Sequence, residues 1–203
     1  MRKCVKRVCI CLLAACFVWT AMIIADKQTL RNELIRLHVV AASDSEEDQA
    51  LKLRVRDAVV ESLQSEMRNI ADTDRAKAYL RENLPKTETL ANRVLREAGC
   101  PDPATVSLQP EEFATRYYDT FRLPAGIYES LRITIGEGEG QNWWCVVFPS
   151  LCVGATVEAF SDTAQCAGLS DGLTRALAGE EEYEVRFFIL DALGELENFL
   201  HAG

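Results

Sequence analysis

Three side chains in this 203-residue chain have the chemistry of a nucleophilic pair: Cys145 and Cys152, in the run GQNWWCVVFPSLC, and His38, one of only two histidines. A cysteine attacks as its thiolate and needs a base such as imidazole within hydrogen-bond reach. Two strands of one sheet, one carrying His38 and the other a cysteine, would meet that need. Other chemistry finds little support. Cys145, Cys152 and Cys166 have neither CxxC spacing nor a neighbouring histidine, so no metal is expected. The glycines of GEGEG lead into a strand rather than a helix, and the two glutamates between them would repel a phosphate. The patterns GxSxG, HExxH and the P-loop do not occur. The acidic cluster SDSEED lacks the calcium-loop pattern and is explained by its place ahead of a helix. No cofactor is expected. Cys145 and Cys152 form a disulfide if the chain reverses at Pro149, or stay as buried thiols.

The elements that must position these residues are marked by changes of period. NELIRLHVVAA (Asn32 to Ala42) reads as a buried strand, with Leu34, Arg36, His38 and Val40 on one side and Ile35, Leu37 and Val39 on the other. A long helix follows, opened by a capping box of Ser45 and Asp48. Its apolar positions Leu51, Val55, Val59, Leu63 and Met67 recur at helical spacing, and Asp48, Lys52 and Arg56 form a charged ladder on its opposite side. Two shorter helices are predicted at Asp74 to Asn83 and Thr87 to Ala98, divided at Pro85. Short strands follow at about Thr105 to Gln109, Tyr117 to Arg122, Leu131 to Ile135 and Trp143 to Phe148. Gly154 to Glu182 reads as an acidic loop with a short helix near Ser170 to Leu177. A last amphipathic helix turns Val185, Phe188, Ile189, Leu196, Phe199 and Leu200 inward. The class is α+β: a mainly antiparallel sheet with helices over one face.

The N-terminus stands apart. Arg2, Lys3, Lys6 and Arg7 precede an uncharged run from Val8 to Ala25, about 27 Å of helix and enough to cross a bilayer. It is an export signal or a membrane anchor, with residues 1–27 as the targeting segment and 28–203 as the exported domain. Ala25 offers a cleavage site, but Ile23 is large where a small residue is preferred, which favours retention; LAAC at Leu13 to Cys16 offers lipidation as a third fate. Removing four basic residues from the total of 22 leaves 18 against 31 acidic ones, so the exported part carries about −13. Such a body is repelled by nucleic acid and suits a protein partner.

Two blocks, LIRLHVVAASDSEEDQALKLRVRDAV and GEGEGQNWWCVVFPSLC, resemble the stage II sporulation protein R family, exported signalling proteins of endospore-forming bacteria; LPAGIYESLRITIG and EVRFFIL between and after them resemble it too. The resemblance implies a non-enzymatic protein, made in the forespore and exported into the space between forespore and mother cell. There it would activate a membrane-bound aspartic protease that processes the precursor of sigma-E. The residues for such a contact are Arg36, His38, Ser43, Asp44, Asp48, Gln49, Arg54, Arg56 and Asp57 around the strand-to-helix turn, with Trp143 and Trp144. The two tryptophans must face opposite sides of their strand. Against this stands an exported cysteine-dependent hydrolase, using His38 with Cys145 or Cys152 on peptide or cell wall.

Overall fold

The computed structural model describes residues 2–70, 72–150 and 157–201. Helix α1 (Arg2–Glu33) runs unbroken through the apolar segment and six residues past Lys27, into the part read as the exported domain. Most of it is exposed, but Ile23, Asp26 and Leu30, spaced along one helical face, are buried.

Strand β1 (Ile35–Val40) enters the middle of a four-stranded sheet. Its neighbours are β5 (Gly126–Ile135), parallel to it, and β6 (Asn142–Phe148), antiparallel; β2 (Ala104–Phe113) pairs antiparallel with the far side of β5. With two of the three pairings antiparallel, the fold is α+β with a mainly antiparallel sheet. Every residue of β1 is buried, which explains why its sequence is apolar on both sides.

Helices α2 (Glu46–Met67) and α3 (Thr73–Glu97) cover one face. There Ile35, Leu37, Val39, Ile133 and Cys145 pack with Val55, Val59, Leu80 and Leu95. The other face is covered as well, contrary to expectation. Leu34, Tyr128 and Val146 pack under the end of α1 and under α4 (Val157–Cys166), α5 (Asp171–Leu177) and α6 (Glu184–His201). The segment read as an acidic loop supplies α4 and α5 to this layer, because apolar residues among its acids, Phe160, Ala164, Leu173 and Leu177, all point inward.

Other departures have physical causes. The two helices expected around Pro85 are one, because the buried positions Ala76, Leu80, Thr87, Ala91 and Leu95 keep one apolar face across it. Pro85 itself lies on the exposed side of this helix. In place of a strand over Tyr117 to Arg122 there is a small hairpin, β3 (Arg116–Tyr117) and β4 (Arg122–Leu123), closed by Tyr118 N–H donating to the Phe121 carbonyl at 2.8 Å. Helix α6 forms as expected but presents its other face: Phe187, Leu190 and Gly194 are buried, while Val185, Phe188, Leu196, Phe199 and Leu200 are exposed. Gly194 decides the face, since a β-carbon there would lie 1.6 Å from the Ala125 carbonyl oxygen.

Candidate functional site

The two sequence blocks meet in space. Leaving β1, the chain turns at Ala41 to Ser45 into α2, and the glycine loop between β5 and β6 folds onto that turn. Ser45 caps α2 by accepting the Asp48 N–H at 3.1 Å, as the capping pattern predicts. Ser43 Oγ donates to Asp48 Oδ2 at 2.5 Å, and Gln49 Nε2 donates to the Ser43 carbonyl at 2.9 Å. Across the gap, Gln141 N–H donates to Asp44 Oδ1 at 2.7 Å and Gly140 N–H to the Ala41 carbonyl at 3.0 Å. Lys52 closes the lock: its Nζ donates to Gln49 Oε1 at 2.5 Å and to the Gln141 carbonyl at 3.0 Å. Lys52 is buried, and that burial lowers its pKa against the opposing pull of Asp44. The charged ladder of Asp48, Lys52 and Arg56 therefore does not form: Asp48 turns to Ser43, Lys52 to Gln49 and the glycine loop, and Arg56 to Trp143 on β6.

Beyond the lock lies an exposed patch. Trp143, 36% exposed, projects on the α2 side of β6 beneath the Arg56 guanidinium, which stands 4.2 Å from its ring centre. Arg56 Nε also donates to Asp57 Oδ1 at 2.7 Å. Asp57 is exposed next to Arg56, whereas Arg54, two residues before Arg56, is exposed on a different side of α2.

Trp144 faces the other layer, confirming the opposed tryptophans. It is held between the Arg116 guanidinium, 3.6 Å from its ring centre, and the stacked His38 ring at 5.6 Å. His38 and Arg36 lie inside the molecule rather than on a contact surface. His38 Nδ1 is 3.2 Å from Glu111 Oε2, and its Nε2 is 2.8 Å from Asn142 Oδ1. Glu111 also accepts Arg132 Nη1 at 2.6 Å. Burial alone would raise the Glu111 pKa, but hydrogen bonds from His38 and Arg132 outweigh it and bring it down to about 2. Arg36 is wholly buried; its Nη2 donates to Tyr118 Oη at 2.8 Å, and its guanidinium lies 4.1 Å from the Phe113 ring centre. Its Nε and Nη1 find no hydrogen-bond partner, and burial lowers its pKa. Arg36 and Arg116 thus tie the β3–β4 hairpin to the sheet. Sequence reasoning missed Glu111, Asn142 and Arg116; the signal for the first was a carboxylate within a strand.

Cys145 is disulfide-bonded; Cys152, its expected partner, lies outside the described residues. Cys145 sits opposite Leu37 in the α2–α3 core, whereas His38 pairs with Trp144 on the other face, so a nucleophilic pair of Cys145 and His38 does not form. Among the described residues no group of three or more His, Cys, Asp or Glu side chains converges to hold a metal ion.

A family model described as stage II sporulation protein R matches residues 31–158. The chain belongs to that family. It is 37% identical over 121 residues to the stage II sporulation protein R of Bacillus subtilis (strain 168), an alignment covering 60% of this chain and 54% of that protein. The chain therefore spans about half the length of this relative. No solved structure matches. The family region runs from the last turn of α1 through β6, and so contains the whole lock and the Trp143 patch; α5 and α6 lie beyond it. The family takes its name from sporulation.

Proposed function

We propose that this chain is a non-enzymatic signal, exported across the forespore membrane into the space between forespore and mother cell. There it touches the outward-facing part of a membrane-bound aspartic protease, which then processes the sigma-E precursor. The observation that supports this reading is the lock: Asp44, Lys52 and Gly140 join the two family blocks and hold Trp143, Arg56 and Asp57 as one patch at the surface. A preorganised tryptophan beside charged neighbours is the usual makeup of a binding hot spot. Ser43, Asp48 and Gln49 shape the turn, while Arg36 and His38 stiffen the sheet behind it.

The test is to produce the chain together with the protease and the precursor and to follow precursor cleavage. Trp143→Ala and Asp57→Arg are expected to reduce cleavage at unchanged protein level, and Glu97→Gln, on the exposed end of α3, to leave it intact. Full cleavage with Trp143→Ala and Asp57→Arg combined would sink the reading.

A further inference from the structure

The end of α1 is a piece of the domain core rather than a tail leading to it. Ile23 and Leu30 are 3% and 1% exposed within the second apolar cluster, whereas Met22 and Ile24 are each 50% exposed. Between them the buried Asp26 carboxylate receives Arg186 Nε at 2.7 Å and Arg186 Nη2 at 2.5 Å. Arg186 comes from α6 and lies against Gly172 of α5, where a β-carbon would meet its Nη1 at 2.3 Å. One residue on, Lys27 Nζ donates to the Leu193 carbonyl at 2.9 Å and pairs with Glu197 at 3.0 Å. Cutting after Ala25 would demand Ile23 where a small residue is preferred, and would unwind a continuous helix and empty a place in the core.

We infer that α1 is retained as an uncleaved anchor, and that it seats the domain directly on the bilayer with the first turns of α6 at the lipid surface. The helix is long and apolar enough to cross a membrane, and its apolar window is almost entirely free of domain contacts. Asp26, the first charge after the apolar run, marks the edge of the hydrocarbon. Ile23 lies about 4.5 Å deeper, so the domain atoms that cover it reach interfacial depth. Arg186 meets Asp26 at that edge, and Val185 and Phe188 beside it are 60% and 70% exposed. Further along α6, Glu197 pairs with both Lys27 and Arg31, which lie about 1.5 and 7.5 Å farther from the hydrocarbon edge than Asp26. Phe199, beyond Glu197, therefore stands farther from the hydrocarbon than Phe188. Val185 and Phe188 make the contact, with the exposed Glu182 and Glu184 beside them in the aqueous layer, because an acidic domain gains nothing from anionic headgroups.

Two measurements on the full chain test this. Purified from the membranes of a host with active signal peptidase, the protein is expected to have the mass of the uncut chain and to resist extraction with alkaline carbonate. A chain starting at Asp26, or one released into the soluble fraction, would overturn the inference. In a Trp19→Phe background, Phe188→Trp and Phe199→Trp variants are reconstituted into phosphatidylcholine–phosphatidylglycerol vesicles with brominated acyl chains. The emission added over the Trp19→Phe parent, which keeps Trp143 and Trp144, is expected to be quenched strongly at position 188 and much less at 199. Equal quenching at both positions, or at neither, would overturn the seating.

Discussion

The α-carbon of Gly140 lies so close to the Ser43 carbonyl that a β-carbon added to it would sit 2.2 Å from that oxygen. This approach fits the glycine loop onto the β1–α2 turn and brings Gln141 within reach of both Asp44 and Lys52. Gly140→Ala is expected to push the loop away and destabilise the protein by about 1–3 kcal/mol, with loss of precursor cleavage. Gly99→Ala is the comparison: its φ of +78° disfavours a side chain, but nothing lies within 4 Å. It should cost about 1 kcal/mol and leave signalling unchanged. Urea denaturation of the detergent-solubilised protein, paired with the cleavage assay, separates the two.

Adjacent tryptophans are expected to divide the two tasks. Trp143 is partly exposed and held by one cation–π contact, so Trp143→Ala should cost only about 1 kcal/mol of stability. Its loss of partner binding should be about 2 kcal/mol or more, roughly 30-fold. Trp144, held between Arg116 and His38, should behave in reverse: Trp144→Ala lowers stability by about 3 kcal/mol. Denaturation midpoints and binding to the protease's outward-facing part, measured on both variants, check the division.

Much of this could be read from residue order because local signals and tertiary packing agreed. Ser45 and Asp48 announced the start of α2, Ser170 that of α5, and strand alternation put Trp143 and Trp144 on opposite faces. Where packing had to choose between locally equivalent options, the sequence was silent. Helix α6 has apolar residues on two faces, and only the approach of Gly194 to Ala125 selects one. Lys52 looked like one rung of a solvated ladder, since its true acceptor is the carbonyl of Gln141, 89 positions away. Glu111 looked like any other acid in an acidic chain until β5 and β1 brought Arg132 and His38 to it.

Glu111 gives the protein an acid-sensitive element. Its folded pKa is depressed to about 2 from an ordinary value of 4.5, so the carboxylate contributes stability above the ordinary value. That contribution falls away as the pH drops from about 5 through about 2, on the order of 2–3 kcal/mol in all. Glu111→Gln should be less stable than the parent near neutrality and show a flatter stability profile across that acid window. Urea midpoints measured at intervals from neutral pH down to about 3 test this; parallel profiles for the two proteins would contradict it.

Pro85 offers a substitution that should help the fold. It sits inside α3, where it donates no hydrogen bond to the Arg81 carbonyl four residues back and its ring crowds that carbonyl, a penalty of about 3 kcal/mol in a helix interior. The side chain is exposed, so replacing it empties no cavity. Alanine restores the donor, but it also loosens the unfolded chain, which offsets about 0.4–1 kcal/mol of the gain. Pro85→Ala is therefore expected to stabilise the protein by about 2 kcal/mol, raising the melting temperature by several degrees. Because α3 packs on the sheet edge far from Trp143, precursor cleavage should not change. A lower melting temperature would mean that the proline sets a bend on which the packing of α3 against α2 and β2 depends.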